Sequence, residues 1–168
     1  ISRQSVHVPA RPEITAFIRS EVQRQLPPGG LEGSGVTLER LQDMAVGLSQ
    51  CESGVSQFYG KGVTFEGRSM ENVPKVYIHS DAVSWANVVG CMQISTYWWN
   101  RSREEGVYLA WDYRYNVFKG VSIIVRNFVH HKGSFNSDAL LKQVCDRYSR
   151  GDWERMQKYL AEPDKWLR

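Results

Sequence analysis

In GLSQCESG, residues 47–54, a glutamate falls on the side of a predicted helix that should face the protein core. The apolar residues before it recur at intervals of three and four, the period of one helical face, and they are Leu38, Leu41, Ala45 and Leu48. Glu52 is the next position on that face, and Gly54 is a typical residue for ending a helix. Burial and the negative end of the helix dipole both disfavour an ionised carboxylate. The stretch therefore predicts a raised pKa for Glu52, as a general acid working near neutral pH requires.

The composition is that of one folded domain. The chain has 168 residues, of which 42% are hydrophobic and 23% charged, enough for a sizeable core. The net charge of +3 is not gathered into a block, which argues against a dedicated nucleic-acid-binding surface. No apolar run reaches the about 18 residues of a membrane span. Because the chain starts with neither an initiator methionine nor a signal peptide, we expect it to be part of a longer or processed protein.

The hydrophobic periodicity predicts an α+β domain that is predominantly α-helical. Residues 1–11 lack periodicity and are interpreted as an arm or linker, and residues 12–168 as a single domain. Helices are expected to begin near Pro12, Thr37, Gln93, Asn116, Ser137 and Asp152. Between residues 55 and 85, dense glycines and short β-branched runs predict a small β-hairpin lobe. This lobe should flank a substrate cleft with Glu52 at its edge.

No metal or cofactor is expected. The three cysteines, Cys51, Cys91 and Cys145, lack metal-ligand spacing, and at least one of them must be unpaired within the chain. The histidines form no constellation typical of zinc. Each cysteine is interpreted as a small buried core residue.

Four short motifs follow one another at separated places along the chain. They are Glu52-Ser53, Gly90-Cys91-Met92-Gln93-Ile94, Asp112-Tyr113-Arg114-Tyr115-Asn116-Val117-Phe118-Lys119-Gly120, and Tyr148 with Gly151. In this order they resemble the catalytic domain of the lytic transglycosylases of the lysozyme-like superfamily, and in particular the soluble lytic transglycosylase type. Each motif alone is short. The resemblance runs from Leu38 to Gly151 and rests on their joint order and spacing.

The resemblance implies a lysozyme-like fold and a peptidoglycan lytic transglycosylase. Such an enzyme cleaves the β-1,4 bond between N-acetylmuramic acid and N-acetylglucosamine and leaves a 1,6-anhydro end without using water. It implies that Glu52 is the catalytic acid and that Ser53, Met92, Gln93 and Tyr148 form the substrate-binding site. Gln93 is expected to bind an N-acetyl or hydroxyl group, Met92 to line the cleft, and Tyr148 to lean on Glu52. Cys91 departs from the leucine usual in that family.

The implied partner is the peptidoglycan glycan strand, and the implied location is the cell envelope, the periplasm or a phage virion. The chain would then be the catalytic part of a longer virion or cell-envelope protein, with other domains of that parent chain as possible partners.

Two alternatives stay open. The insert between Ser53 and Gly90 is longer than that family's usual loop, which leaves room for a hydrolytic lysozyme (muramidase) or a chitosanase-like glycosidase with a second carboxylate. Asp81 is the preferred candidate for that carboxylate, ahead of Glu66 and Glu71. The other alternative is a glycan-binding or assembly module that keeps the fold without turnover.

Overall fold

The computed structural model describes residues 7–60, 63–65, 68–70, 74–78, 87–95 and 103–168, and within them it has seven helices and five short strands. The helices are α1 (Arg11–Gln25), α2 (Leu38–Ser53), α3 (Arg103–Trp111), α4 (Tyr113–His131), α5 (Ser137–Tyr148), α6 (Trp153–Ala161) and α7 (Pro163–Trp166). The strands are β1 (Val63–Phe65), β2 (Arg68–Met70), β3 (Val76–Ile78), β4 (Asn87–Val89) and β5 (Ile94–Ser95). The predominantly helical α+β class is therefore confirmed.

Helix α2 lies at the centre of the helical packing, in contact with α1, α5 and α6. Its predicted face is buried, with Leu41, Ala45 and Leu48 fully excluded from solvent. The helix starts where the Thr37 hydroxyl accepts a hydrogen bond from the Arg40 N–H (3.2 Å). It ends at Gly54, whose φ of 69° is the left-handed conformation that glycine adopts without strain. Both ends of the predicted helix are confirmed, and Glu52 lies in its last turn.

Helix α4 packs between α1 and α5 and carries the expected apolar stripe. Its buried stripe residues are Val117, Val121, Ile124, Val125 and Phe128. The residue that caps the helix is Asp112 and not Asn116, because the Asp112 carboxylate accepts hydrogen bonds from the N–H groups of Arg114 (2.9 Å) and Tyr115 (3.4 Å). Asn116 is instead fully buried one turn into the helix.

A second capping residue also differs from the sequence prediction. Ser137 is the first residue of α5, and the capping position is the preceding Asn136. The Ser137 N–H donates to the Ser34 carbonyl at 2.7 Å. The predicted start of a helix after Asp152 is confirmed.

The β lobe contains an antiparallel pair, β1 and β2, and an antiparallel three-stranded sheet in the order β3-β4-β5. Val89 of β4 pairs with Val76 of β3 on one side and with Ile94 of β5 on the other. The helix predicted from Gln93 to Arg103 is therefore wrong at its start, because Ile94–Ser95 form a strand and α3 begins at Arg103. The sheet pairing of Ile94 overrides its local helical pattern.

The first helix begins one residue before Pro12, where its start was predicted. Helix α1 starts at Arg11, whose guanidinium donates to the Gln50 side chain (2.5 Å) and to the Trp166 carbonyl (3.2 Å). Arg11 thus joins the end of α2 to α7 and belongs to the folded domain. Residues 1–6 of the predicted arm lie outside the described residues.

We expect replacement of Gly90 to destabilise the fold strongly. Its φ is 84°, and a Cβ there would lie 2.1 Å from Asn116 Nδ2. Gly90→Ala should lower the free energy of unfolding by about 2 to 4 kcal/mol through backbone strain and overpacking, measured by urea denaturation.

The matched control is Gly133→Ala, where a new Cβ meets nothing within 4 Å. It should change the free energy of unfolding by no more than about 0.5 kcal/mol. Equal effects of the two variants would contradict the packing described for Gly90.

Candidate active site around Glu52

A pocket of about 310 Å³ opens at the C-terminal end of α2. Its walls come from four separate segments: the end of α2, the chain between α2 and β1, the residue before β3, and the turn between β4 and β5. The lining residues are Cys51, Glu52, Ser53, Gly54, Tyr59, Lys75 and Gln93. Three residues predicted for the site, Glu52, Ser53 and Gln93, therefore lie on the same concave surface, as a binding site requires.

The Glu52 carboxyl is partly buried, and this burial is the main reason that its pKa is raised above the ordinary value. The negative charge of Asp152 raises the pKa further, while a hydrogen bond from the Ser149 side chain opposes both effects. The direction agrees with the prediction from the helix pattern. A carboxyl that keeps its proton above the ordinary range can act as a general acid.

Ser149 and Asp152 connect the Glu52 site to the start of α6. The Ser149 hydroxyl lies within hydrogen-bonding reach of both the Asp152 carboxylate and Glu52, and its single proton can be donated to only one of them at a time. Asp152 precedes α6 but makes no capping hydrogen bond with its side chain. From the sequence Asp152 was predicted only to start a helix, because aspartate is a common residue at that position.

The Cys91 backbone is held from both sides of the turn between β4 and β5. Its carbonyl accepts hydrogen bonds from the Ser49 (2.8 Å) and Ser53 (2.7 Å) hydroxyls of α2. Its N–H donates to the Gln57 side-chain carbonyl at 2.9 Å. The Ser53 hydroxyl is thus engaged within the protein, and its side chain positions the turn next to Glu52 instead of facing a ligand.

The structure places Met92 in the core and not on the pocket wall. Its side chain is fully buried against Gly120, where an added Cβ would lie 2.7 Å from Met92 Cβ. Its N–H donates to Asn116 Oδ1 (2.8 Å), and its carbonyl accepts the Tyr148 hydroxyl (2.6 Å). This corrects the expectation that the Met92 side chain lines the cleft.

Tyr148 is close enough to Glu52 for the carboxylate charge to contribute to its raised pKa, of which burial is the larger cause. Its hydroxyl proton is donated to the Met92 carbonyl, however, and not to Glu52. Tyr148 therefore supports the turn and remains neutral beside the glutamate.

Gln93 adopts a left-handed backbone conformation with a φ of 49° at the end of the turn. Its side-chain amide nitrogen donates to the Gly90 carbonyl at 2.9 Å, which fixes the side chain beside the pocket. The amide oxygen remains as the group of this side chain that can accept a hydrogen bond from a ligand.

Lys75 is a pocket residue that the sequence analysis missed. Its ammonium donates to the Ser53 carbonyl at 2.5 Å, and burial lowers the pKa of this ammonium. The only signal in the sequence was its place before a β-branched run, which is typical of a strand and carries no information about Glu52.

The remaining site predictions concern carboxylates, cysteines and metals. Asp81, Glu66 and Glu71 lie outside the described residues.

Cys51, Cys91 and Cys145 are free thiols. Burial raises the pKa of Cys51 to about 11 and the pKa values of Cys91 and Cys145 to about 12. Within the described ranges, no group of three His, Cys, Asp or Glu side chains could hold a metal ion. None of the described helices is long and apolar enough to cross a membrane.

Comparisons with protein-family models, with known proteins and with solved structures give no significant match.

We expect two variants to shift the Glu52 pKa in opposite directions. Asp152→Asn removes a negative charge and should lower the pKa, whereas Ser149→Ala removes a hydrogen bond to the ionised form and should raise it. Carboxyl ¹³C NMR titration measures both shifts without depending on activity. Shifts of the same sign would contradict the arrangement described.

We expect Glu52→Gln to be more stable than the wild type at pH 7. The unfolded chain loses the Glu52 proton at about pH 4.3, while the folded chain holds it to higher pH. Wild-type stability should therefore fall as pH rises from the unfolded pKa to the folded pKa, and the variant lacks this loss. Urea denaturation between pH 4 and pH 8 measures the difference, which should shrink towards pH 4. A difference independent of pH would contradict the raised pKa.

Proposed function

We propose that this chain is a peptidoglycan lytic transglycosylase with a lysozyme-like fold. The observation that carries the proposal is Glu52, a partly buried carboxyl with a raised pKa, placed in a pocket beside Gln93. Among the described residues that line this pocket, Glu52 is the only carboxylate. That arrangement suits a reaction in which a single group acts first as acid and then as base.

In the proposed reaction, protonated Glu52 gives its proton to the glycosidic oxygen while the bond from that oxygen to C1 of the muramic acid breaks. The transition state has oxocarbenium character. The resulting carboxylate then takes the proton of the same sugar's C6 hydroxyl as O6 forms a bond to C1. This closes the 1,6-anhydro ring and restores protonated Glu52, so no water is consumed.

The contacts of Glu52 support both halves of this cycle. Burial and the Asp152 charge favour the protonated form that must start the reaction, and the Ser149 hydrogen bond favours the carboxylate that exists halfway through it. The Gln93 amide oxygen is placed to accept a hydrogen bond from an N-acetyl or hydroxyl group of the sugar.

A hydrolytic lysozyme or chitosanase-like enzyme is the alternative, and it would need a second carboxylate facing the bound sugar. Asp152 influences Glu52, but it is not among the residues that line the pocket. We therefore favour the transglycosylase, acting on peptidoglycan at the cell envelope or from a phage virion as part of a longer protein.

The test is digestion of purified peptidoglycan in ¹⁸O-labelled water by the wild type, by Glu52→Gln and by Glu39→Gln. Glu39 lies on the same helix but is largely exposed and away from the pocket. We expect anhydro-muramyl ends from the wild type and from Glu39→Gln, and a loss of at least about 100-fold in rate for Glu52→Gln, because general acid catalysis is removed. Mass spectrometry of the released fragments measures both.

Reducing ends that carry ¹⁸O would assign the enzyme to the hydrolases instead. Intact glycan with measurable binding would leave a glycan-binding or assembly module, the third candidate. Full activity of Glu52→Gln would overturn the role of Glu52.

A further inference from the structure

Lys75 presents an ammonium to the Glu52 pocket from a firmly held backbone. Its N–H donates to the Gln57 carbonyl (2.9 Å), and its own carbonyl accepts the N–H of Gly90 (2.8 Å). The same carbonyl lies 3.4 Å from the side-chain nitrogen of Gln93. Lys75 is therefore fixed to the turn that also positions Gln93.

The Lys75 charge is not neutralised within the described part of the chain. Its Nζ donates to the Ser53 carbonyl, which uses one of three N–H donors. No described carboxylate lies within ion-pair distance, and burial is the only cause that lowers its pKa. Lys119, which is also partly buried, is instead paired with Glu105 at 2.7 Å. A partly buried cation without a counter-charge costs free energy, and an anionic ligand would remove that cost.

Glu52 does not act as that counter-charge. A paired ammonium would lower the pKa of Glu52, yet its pKa is raised by burial and by the Asp152 charge, and the effect that opposes them is the Ser149 hydrogen bond, not Lys75. Burial lowers the pKa of the Lys75 ammonium, and a carboxylate bound beside it would raise that pKa again. The pocket therefore combines a proton donor with a positive charge that remains available to a ligand.

We propose that Lys75 binds a carboxylate of the glycan beside the bond to be cleaved, so that the site prefers acid-bearing sugars to neutral ones. This inference rests on the proposed function, since it names which glycans the Glu52 pocket accepts. In peptidoglycan the carboxylate has two sources: the free lactyl group of a peptide-free muramic acid, or a carboxylate of the stem peptide. A neutral chitin oligosaccharide has neither.

The test compares ligand binding to Glu52→Gln with binding to the same chain that also carries Lys75→Met. Titration calorimetry would use three probes: chitotetraose, a peptide-free tetrasaccharide of alternating N-acetylglucosamine and N-acetylmuramic acid, and the same tetrasaccharide with its stem peptides. We expect Lys75→Met to weaken binding of an acid-bearing probe by roughly 10- to 100-fold, the range of a charge-assisted hydrogen bond. Binding of chitotetraose should change less than about twofold.

Neutral derivatives identify the source of the carboxylate. If the lactyl group is bound, its methyl ester should bind equally to both proteins. If the stem peptide is bound, the probe whose stem-peptide carboxylates are amidated should bind equally to both proteins. Lys75→Arg, which keeps the charge, should restore most of the affinity, and higher salt should weaken the Lys75-dependent part.

The matched control is Lys132→Met. Lys132 also donates to backbone carbonyls, those of Gly29 (2.8 Å) and Gly30 (3.0 Å), but it does not line the pocket. Its replacement should leave the affinity for every probe unchanged. Melting temperatures of all variants would show that they are folded, and Lys75→Gln serves in place of Lys75→Met if the latter is not.

Two results separate this inference from the proposed function. If Lys75→Met lost affinity equally for acidic and neutral probes, or lost none, the role of Lys75 would be overturned. Release of anhydro ends by the wild type would still support the transglycosylase. Lys75-dependent binding of acidic probes to a wild type that releases no anhydro ends would keep the inference and overturn the transglycosylase.

Discussion

The turn from Gly90 to Gln93 is the constraint on which the rest of the structure depends. Its backbone passes through the core, where water cannot satisfy N–H and carbonyl groups, so side chains must do so. The side chains that do so are Ser49, Ser53, Gln57, Asn116 and Tyr148. They come from α2, the segment after it, α4 and α5. One buried turn therefore holds together three helices and the β lobe.

The same turn explains how the pocket is assembled. Gly90 accepts a left-handed conformation and leaves space for Asn116, and its N–H binds the Lys75 carbonyl. Gln93 follows with its side chain bound back to Gly90. Lys75, just before β3, and Gln93, just before β5, are thus fixed relative to the end of α2. Preorganisation of this kind is what a site needs if its groups are to act without reorganising during a reaction.

The sequence predicted those features that depend on neighbouring residues. The apolar period, the Thr37 cap and the terminal Gly54 are local, so helix α2 and the burial of Glu52 could be inferred from them. Strand β5 could not, because the conformation of Ile94 is decided by its pairing with Val89. Lys75, Ser149 and Asp152 approach Glu52 only in space. Met92 was misplaced for a related reason, since a methionine suits a cleft wall and a core equally well.

The pKa of Glu52 is set by effects of opposite sign, and their balance decides whether the group can act both as an acid and as a base. Burial alone would hold the proton but would make the carboxylate too costly to form, which would suit an acid and hinder a base. The Ser149 hydrogen bond lowers that cost from within the protein. Had Lys75 supplied this stabilisation through an ion pair, it would have favoured the ionised form of Glu52, and its charge would have been neutralised. Because Ser149 stabilises the carboxylate instead, the pKa of Glu52 stays raised while the Lys75 ammonium in the same pocket forms no ion pair with it.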